Sequence, residues 1–313
     1  MNHLLFAWAS RGGWGGALLL LWGLGVVPAQ AQHTVQVLTR TVEQRFACPV
    51  GTLVRIRAEK ATLRVQGWDQ PTVKVTLQLS ARHPDRAVAE QELPRARYQL
   101  EQHGSAIDLV NYFVLPAGGP ALRSDLRAEY TVFMPTANAV QIVNTYGKTV
   151  LLDLSGRQQL EQDFGQIDLQ NLTGRLTATV RYADVTGTNI HGVLDCEADK
   201  SALRLTGAGG RCTIRNHYGS VQLEPAADLQ SVVVDAERTE VRVGVGQLAR
   251  FNYQFSTAQG QLVVPASLAG GVRTRTGRQL LEVSNQPHLP LIRVVTSYAP
   301  ITLQLISPLL IQR

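Results

Sequence analysis

Cut every 18 residues, Asn144 to Gln222 reads NTYGKTVLLDLSGRQQLE, QDFGQIDLQNLTGRLTAT, VRYADVTGTNIHGVLDCE, ADKSALRLTGAGGRCTIR and NHYGSVQ. Tyr146-Gly147, Phe164-Gly165, Tyr182-Ala183, Lys200-Ser201 and Tyr218-Gly219 recur at steps of 18, and Gly156, Gly174, Gly192 and Gly210 keep the same step. Two interleaved series in one frame mark a repeat whose units bury their apolar sides only by stacking on one another. Counting from the aromatic position, Thr149, Ile167, Val185, Leu203 and Val221 form one column, and Leu151, Leu169, Gly187, Leu205 and Leu223 a second, two residues on. Leu160, Ala178, Cys196, Ile214 and Val232 form a third column beyond the glycine. Spacings of two are strand spacings, because alternate side chains of an extended chain share a face. A helix needs spacings of three and four.

The expected fold is therefore all-β: a single-stranded parallel β-helix, or β-solenoid, with coils of 18–20 residues. Right-handed winding is preferred, because the apolar columns do not group into hexapeptides. Stacked strands lie about 4.8 Å apart, so equivalent residues form surface ladders. Asp153, Asn171 and Asn189 share one column, where amides can bond from coil to coil. Asp163, Arg181, Asp199 and His217 share another, suited to cross-strand ion pairing.

Working outward, residues 1–31 have the pattern of a secretory signal peptide. Arg11 is their only charged residue, Trp14 to Val27 are mostly apolar, and Ala29-Gln30-Ala31 offers a small-x-small cleavage site. Cleavage after Ala31 leaves 282 residues, lowers the net charge from +6 to +5 and keeps Trp68 as the one tryptophan. The expected location is the periplasm, the outer surface or the medium, with no membrane span in the mature chain. Cys48, Cys196 and Cys212 are the only cysteines, an odd number, and stacking geometry puts the last two too far apart to bridge, so buried free thiols are expected.

Residues 32–135 alternate like strands without the 18-residue rhythm and are expected to cap the stack. Tyr98 to Gln102 and Ile107 to Leu115 resemble a hairpin around Gly104, and the charged stretch from Arg82 to Arg97 a loop or one short helix. Residues 136–306 are expected to hold the repeats and 307–313 a tail. Beyond Tyr218, Val241, Leu262, Leu281 and Ile301 continue the strand pairs at about 20-residue steps, as though the coils followed one another to Leu305.

With the strands placed, the chain resembles the putative-adhesin β-strand-repeat family, secreted or membrane-attached bacterial proteins. The resemblance rests on Gly67-Trp68-Asp69 ahead of the Val73 to Leu79 strand, on Tyr130 to Pro135, and on the Tyr146-Gly147, Phe164-Gly165 and Tyr218-Gly219 openings. Ala183, Lys200 and Ser201 depart from that pattern and point to altered backbone geometry there. The resemblance implies a β-solenoid with an adhesin-like role, and no established chemistry, cofactor or site residues.

The functional expectation is a non-enzymatic binding scaffold. Arg157, Arg175 and Arg211 follow the corner glycines, with Val193 interrupting. Guanidinium groups at coil spacing could hold an anionic polysaccharide or lipid headgroups; the plainer alternative is a solvated face on which they pair with Glu161 and Glu197. Trp68 is the candidate sugar-stacking platform, or else covers the end of the stack. A polysaccharide lyase or hydrolase is the enzymatic alternative; its best carboxylates, Asp168 and Asp184, sit two strand positions apart with no third acid beside them. A sensor or assembly component joined end to end is the other alternative. No residue set points to a metal or cofactor, and the small, dispersed charge excess does not favour nucleic acid.

Overall fold

The computed structural model describes residues 35–115, 118 and 121–306. The leader expected at residues 1–31 and the tail at 307–313 lie outside the described residues. What is described is all-β, in one open sheet of 17 strands. The first seven are β1 (Gln36–Ala47), β2 (Leu53–Glu59), β3 (Ala61–Trp68), β4 (Thr72–His83), β5 (Ala96–His103), β6 (Ala106–Phe113) and β7 (Asp125–Pro135). Next come β8 (Ala139–Leu152), β9 (Arg157–Leu172), β10 (Arg175–Ile190) and β11 (Val193–Val245). The last six are β12 (Asn252–Ala258), β13 (Leu262–Val263), β14 (Arg273–Arg275), β15 (Arg278–Val283), β16 (Leu291–Ser297) and β17 (Ile301–Leu305). A short helix, α1 (Arg86–Glu92), begins at Asp85, whose carboxylate accepts the Ala87 N–H.

Parallel ladders carry the middle of the molecule, and their register is the sequence period. Ile142 lies opposite Leu160, Leu160 opposite Ala178, and Ala178 opposite Cys196. These side chains are buried, as are those of Ile167, Val185 and Leu203. Each buried Leu, Ile or Val contributes about 1.5–3 kcal/mol relative to exposure, and the burial is completed by the neighbouring tiers.

Each repeat bends where the chain takes up left-handed backbone, for example at Phe164 (φ 60°), Asn171 (φ 53°) and Gly174 (φ 81°). Close approach selects the glycine after the aromatic: a methyl group on Gly165 would stand 1.8 Å from the Gly147 carbonyl oxygen, and one on Gly219 2.0 Å from that of Ser201. At the two departures from glycine the geometry changes as anticipated. The β10–β11 ladder runs to Arg181–Asp199 and resumes only at Val185–Leu203. The gap is bridged by side chains: the Ala183 N–H donates to Ser201 Oγ (3.2 Å), and the Ala202 N–H donates to Asp184 Oδ1 (3.3 Å).

Inside the corners sit amides that the apolar columns do not reveal. Two residues before the corner, Asn144, Gln162 and Asn216 are buried and donate to the carbonyls of Ala61 (3.2 Å), Gly147 (2.8 Å) and Ser201 (3.2 Å). Thr149 Oγ1 links two of them, accepting from Asn144 and donating to Gln162 Oε1. These bonds satisfy carbonyls that the bend takes out of the ladder.

The stack continues in both directions from the repeats. β2 and β3 lie parallel on β8, then β6 on β2 and β7 on β3. Outside these the direction reverses: β5 is antiparallel to β6, β4 to β7, and β1 to β4.

At the other end the expectation of consecutive coils to Leu305 fails. β16 and β17 lie directly on the last part of β11, and β12 and β13 lie outside them. The Leu281–Val283 strand, expected as another coil, runs antiparallel to β12 within β15, and β14 is antiparallel to β15. Alternation of apolar residues is the same for a parallel and an antiparallel strand, so the pattern carried no sign of the reversal.

Candidate binding surface

The corner residues that precede the glycine column form one ridge, exposed except at the half-buried Tyr218. Tyr146, Phe164, Tyr182, Lys200, Tyr218, Arg238 and Tyr298 all have φ between 49° and 60°, and this shared conformation aims their side chains away from the core. Tyr146 stacks on Phe164 at 4.8 Å and 7°, and Phe164 on Tyr182 at 5.0 Å and 11°. Lys200 then covers Tyr182, its Nζ 4.7 Å from the ring centre and donating to the phenol oxygen at 2.7 Å. Arg238 lies between two rings, 5.4 Å from Tyr218 and 5.5 Å from Tyr298, and donates to the Tyr218 hydroxyl. A bulky residue in the left-handed region costs roughly 1–2 kcal/mol; an aromatic contact contributes about 0.5–1.5 kcal/mol and a cation over a ring a similar amount. The stack therefore offsets the strain of the corner.

The ridge is positively charged. Lys200 and Arg238 meet phenol oxygens and ring faces, and among the described residues neither forms an ion pair with a carboxylate. The hydrogen bond to Tyr182 is the main cause that raises the Lys200 pKa, with a smaller push from Asp199. Beside the ridge, the outward positions of the preceding strands neutralise one another from tier to tier. Arg181 donates to Asp163 (2.6 Å) and Glu161 (3.0 Å), and its hydrogen bond to Asp163 is the main reason its pKa is raised. His217 lies between Asp199 (3.3 Å) and Glu237 (3.4 Å).

The structure divides the expected arginine column. Arg157 and Arg175 are direct Cα partners, but Val193 follows Arg175, and Arg211 comes one tier further, its N–H on the Gly192 carbonyl. Arg175 is held by Asp195 at 2.9 Å. Arg157 and Arg211 are exposed and make no ion pair among the described residues. Glu161, the acid expected to pair with this column, is taken by Arg181 instead. Trp68 ends β3, with its ring stacked on Phe133 at 5.4 Å and its indole N–H donated to the Thr72 carbonyl at 2.8 Å. One face of the indole and its polar edge are thus already engaged.

Asp168 pairs with Lys148 at 2.5 Å and Asp184 takes the Ala202 N–H, so these two carboxylates are held separately. Asn171 donates to Asp153 (3.0 Å) and Asn189 to Asn171 (3.2 Å), an amide ladder along the next bend. No group of three metal-ligating side chains is found among the described residues. All three cysteines are buried free thiols, and burial pushes Cys196 and Cys212 up to about 12.

Sequence reading found the aromatic positions but not the ridge. Lys60, with φ 47° and its N–H on the Thr145 carbonyl, precedes Tyr146 in space although 86 residues earlier in the chain. Arg238 follows Tyr218 within β11, and Tyr298 joins at the far end through the exchanged order of the C-terminal strands. The usable signal was Lys60-Ala61, which matches Lys200-Ser201 in character.

No family model matches the chain, and no curated protein matches it in sequence. Among solved structures it is similar to a "putative cell adhesion protein" from Clostridium sporogenes (11% identity, TM-score 0.24, covering 85% of this chain and 100% of that one). It is also similar to a "putative adhesin" from Bacteroides fragilis (10% identity, TM-score 0.43, covering 85% and 97%). A "putative lipid binding protein" from Parabacteroides distasonis gives 10% identity and a TM-score of 0.34, covering 85% and 96%. At such scores the functional reading rests on this chain's own residues. No helix among the described residues is long and apolar enough to cross a membrane.

Proposed function

We propose that the protein is an exported, non-enzymatic, adhesin-like binding scaffold of the bacterial cell envelope, wound as a right-handed parallel β-solenoid, and that its ligand is an anionic polysaccharide. One observation carries this reading: a largely exposed ridge of aromatic rings and cations at tier spacing, in which Lys200 and Arg238 have no carboxylate partner among the described residues. A linear polyanion can meet such a ridge at several points at once, so weak contacts add along the polymer. Arg157 and Arg211 supply further cations at another bend of the repeat.

Two features speak against the alternatives. The carboxylates best placed for glycosidic chemistry are tied to Lys148 and to a backbone N–H. The stack ends in antiparallel strands, and the edge strand β14 carries the exposed Arg273 and Arg275, which opposes end-to-end pairing through like charge.

Binding to immobilised acidic and neutral glycans, compared between the wild type, Lys200→Ala/Arg238→Ala and Arg157→Ala/Arg175→Ala/Arg211→Ala, tests the proposal. Retention on acidic glycans that weakens with salt and falls in the ridge variant is expected. Equal retention of all three proteins on both glycan classes overturns it.

A further inference from the structure

In the run of three mutually stacked rings, Tyr146, Phe164 and Tyr182, the face left open is at the start. Phe164 has a ring on both sides, and Tyr182 lies between Phe164 and Lys200. Tyr146 has Phe164 on one side only and is 53% exposed, against 39% for Phe164 and 45% for Tyr182. Around it lies a cleft of about 270 Å³ lined also by Lys60, Thr62, Asp125 and Arg127. Strand pairing assembles these residues from distant parts of the chain: β3 lies between β7 and β8, which sets Ala128 opposite Ala61 and Lys148 opposite Thr62.

The polar groups of this cleft are only partly used. Arg127 donates from Nε to Asp125 at 2.7 Å, and its terminal nitrogens make no hydrogen bond among the described residues. Lys60 Nζ likewise has no partner there. An aromatic face, two cations with free donors and one carboxylate acceptor thus converge on a space with room for one sugar ring.

From this convergence we infer that the Tyr146 cleft is a subsite for a single uronate residue, the pyranose ring lying on the open face of Tyr146, its carboxylate toward Lys60 and Arg127 and a hydroxyl donating to Asp125. The inference rests on the anionic-polysaccharide reading above and adds to it a defined sugar, a defined position and a direction: the polymer is anchored at Tyr146 and follows the ridge toward Lys200 and Arg238. A neutral hexose keeps the stacking contact and loses the charge-assisted bonds, which are the stronger part.

Calorimetric titration of the full chain with oligogalacturonate and, separately, with maltohexaose tests it. Tyr146→Asn removes the ring while keeping a residue type that tolerates left-handed backbone, so the fold is retained and a thermal melt checks this. Tyr146→Phe keeps the ring. Oligogalacturonate is expected to bind the wild type more tightly than maltohexaose, about tenfold more weakly to Tyr146→Asn, and within about twofold of wild type to Tyr146→Phe. Lys60→Ala is expected to weaken oligogalacturonate and leave maltohexaose unchanged. If Tyr146→Asn binds oligogalacturonate as the wild type does while Lys200→Ala/Arg238→Ala loses it, the subsite is overturned and the broader reading stands. If the wild type binds neither sugar, or prefers the neutral one, both are overturned.

Discussion

A methyl group on Gly165 would stand 1.8 Å from a backbone oxygen of the tier before it, at a φ of 120° that side chains rarely adopt. Gly165→Ala is therefore expected to destabilise by about 3 kcal/mol or more, read from the urea midpoint at unchanged slope. Ser201 answers the same constraint differently, because its hydroxyl accepts the Ala183 N–H that the interrupted ladder leaves behind. Ser201→Ala strands that buried donor and is expected to cost about 1–3 kcal/mol, whereas Ser201→Thr, which keeps the hydroxyl, is expected to lose less. Glycine columns were legible in the sequence because close approach favours glycine, with Ala183 and Ser201 the two departures among the five repeats. The amides of Asn144, Gln162 and Asn216 were not, since Val180 and Ala198 occupy the equivalent places and break the column.

The strands themselves were legible as elements, and their order was not. β8, β9 and β10 show an 18-residue register because each tier follows the last directly. β2 meets β8 and β16 meets β11 across long intervening segments, and apolar alternation records neither partner nor direction. Within β11 the thiols of Cys196 and Cys212 belong to the core, and burial raises both from 9.0 to about 12. A raised thiol pKa means the folded state holds its proton more tightly, so this contribution is intact below pH 9 and is lost as pH climbs from 9 to 12. Stability is expected to fall over that window by about 1.4 kcal/mol per pH unit for each thiol, and Cys196→Ala/Cys212→Ala is expected to show a correspondingly shallower slope in denaturant titrations. A slope equal to that of the wild type contradicts this assignment. Neither thiol is expected to react with a soluble disulfide reagent until denaturant is added.

At the scale of the whole molecule, both ends of the parallel stack close by reversing direction, through β5, β4 and β1 at one end and β15 and β14 at the other. The β14–β15 hairpin presents Arg273, Arg275 and Arg278 at an exposed edge. Replacing all three with Thr removes the like charge that keeps edges apart, and a concentration-dependent shift to larger species by light scattering is expected; a variant that stays at the wild-type mass contradicts that role. The ridge exists only if the tiers superpose, so the stacking register is the claim on which the binding proposals stand. Spin labels at Gln141 and Thr213, 72 residues apart in sequence, lie four tiers apart along one column. Electron–electron distance measurement between them is expected to give a narrow distribution centred at about 19 Å before allowance for the labels. A broad distribution, or one centred at about twice that distance or more, would contradict the stack and with it the ridge.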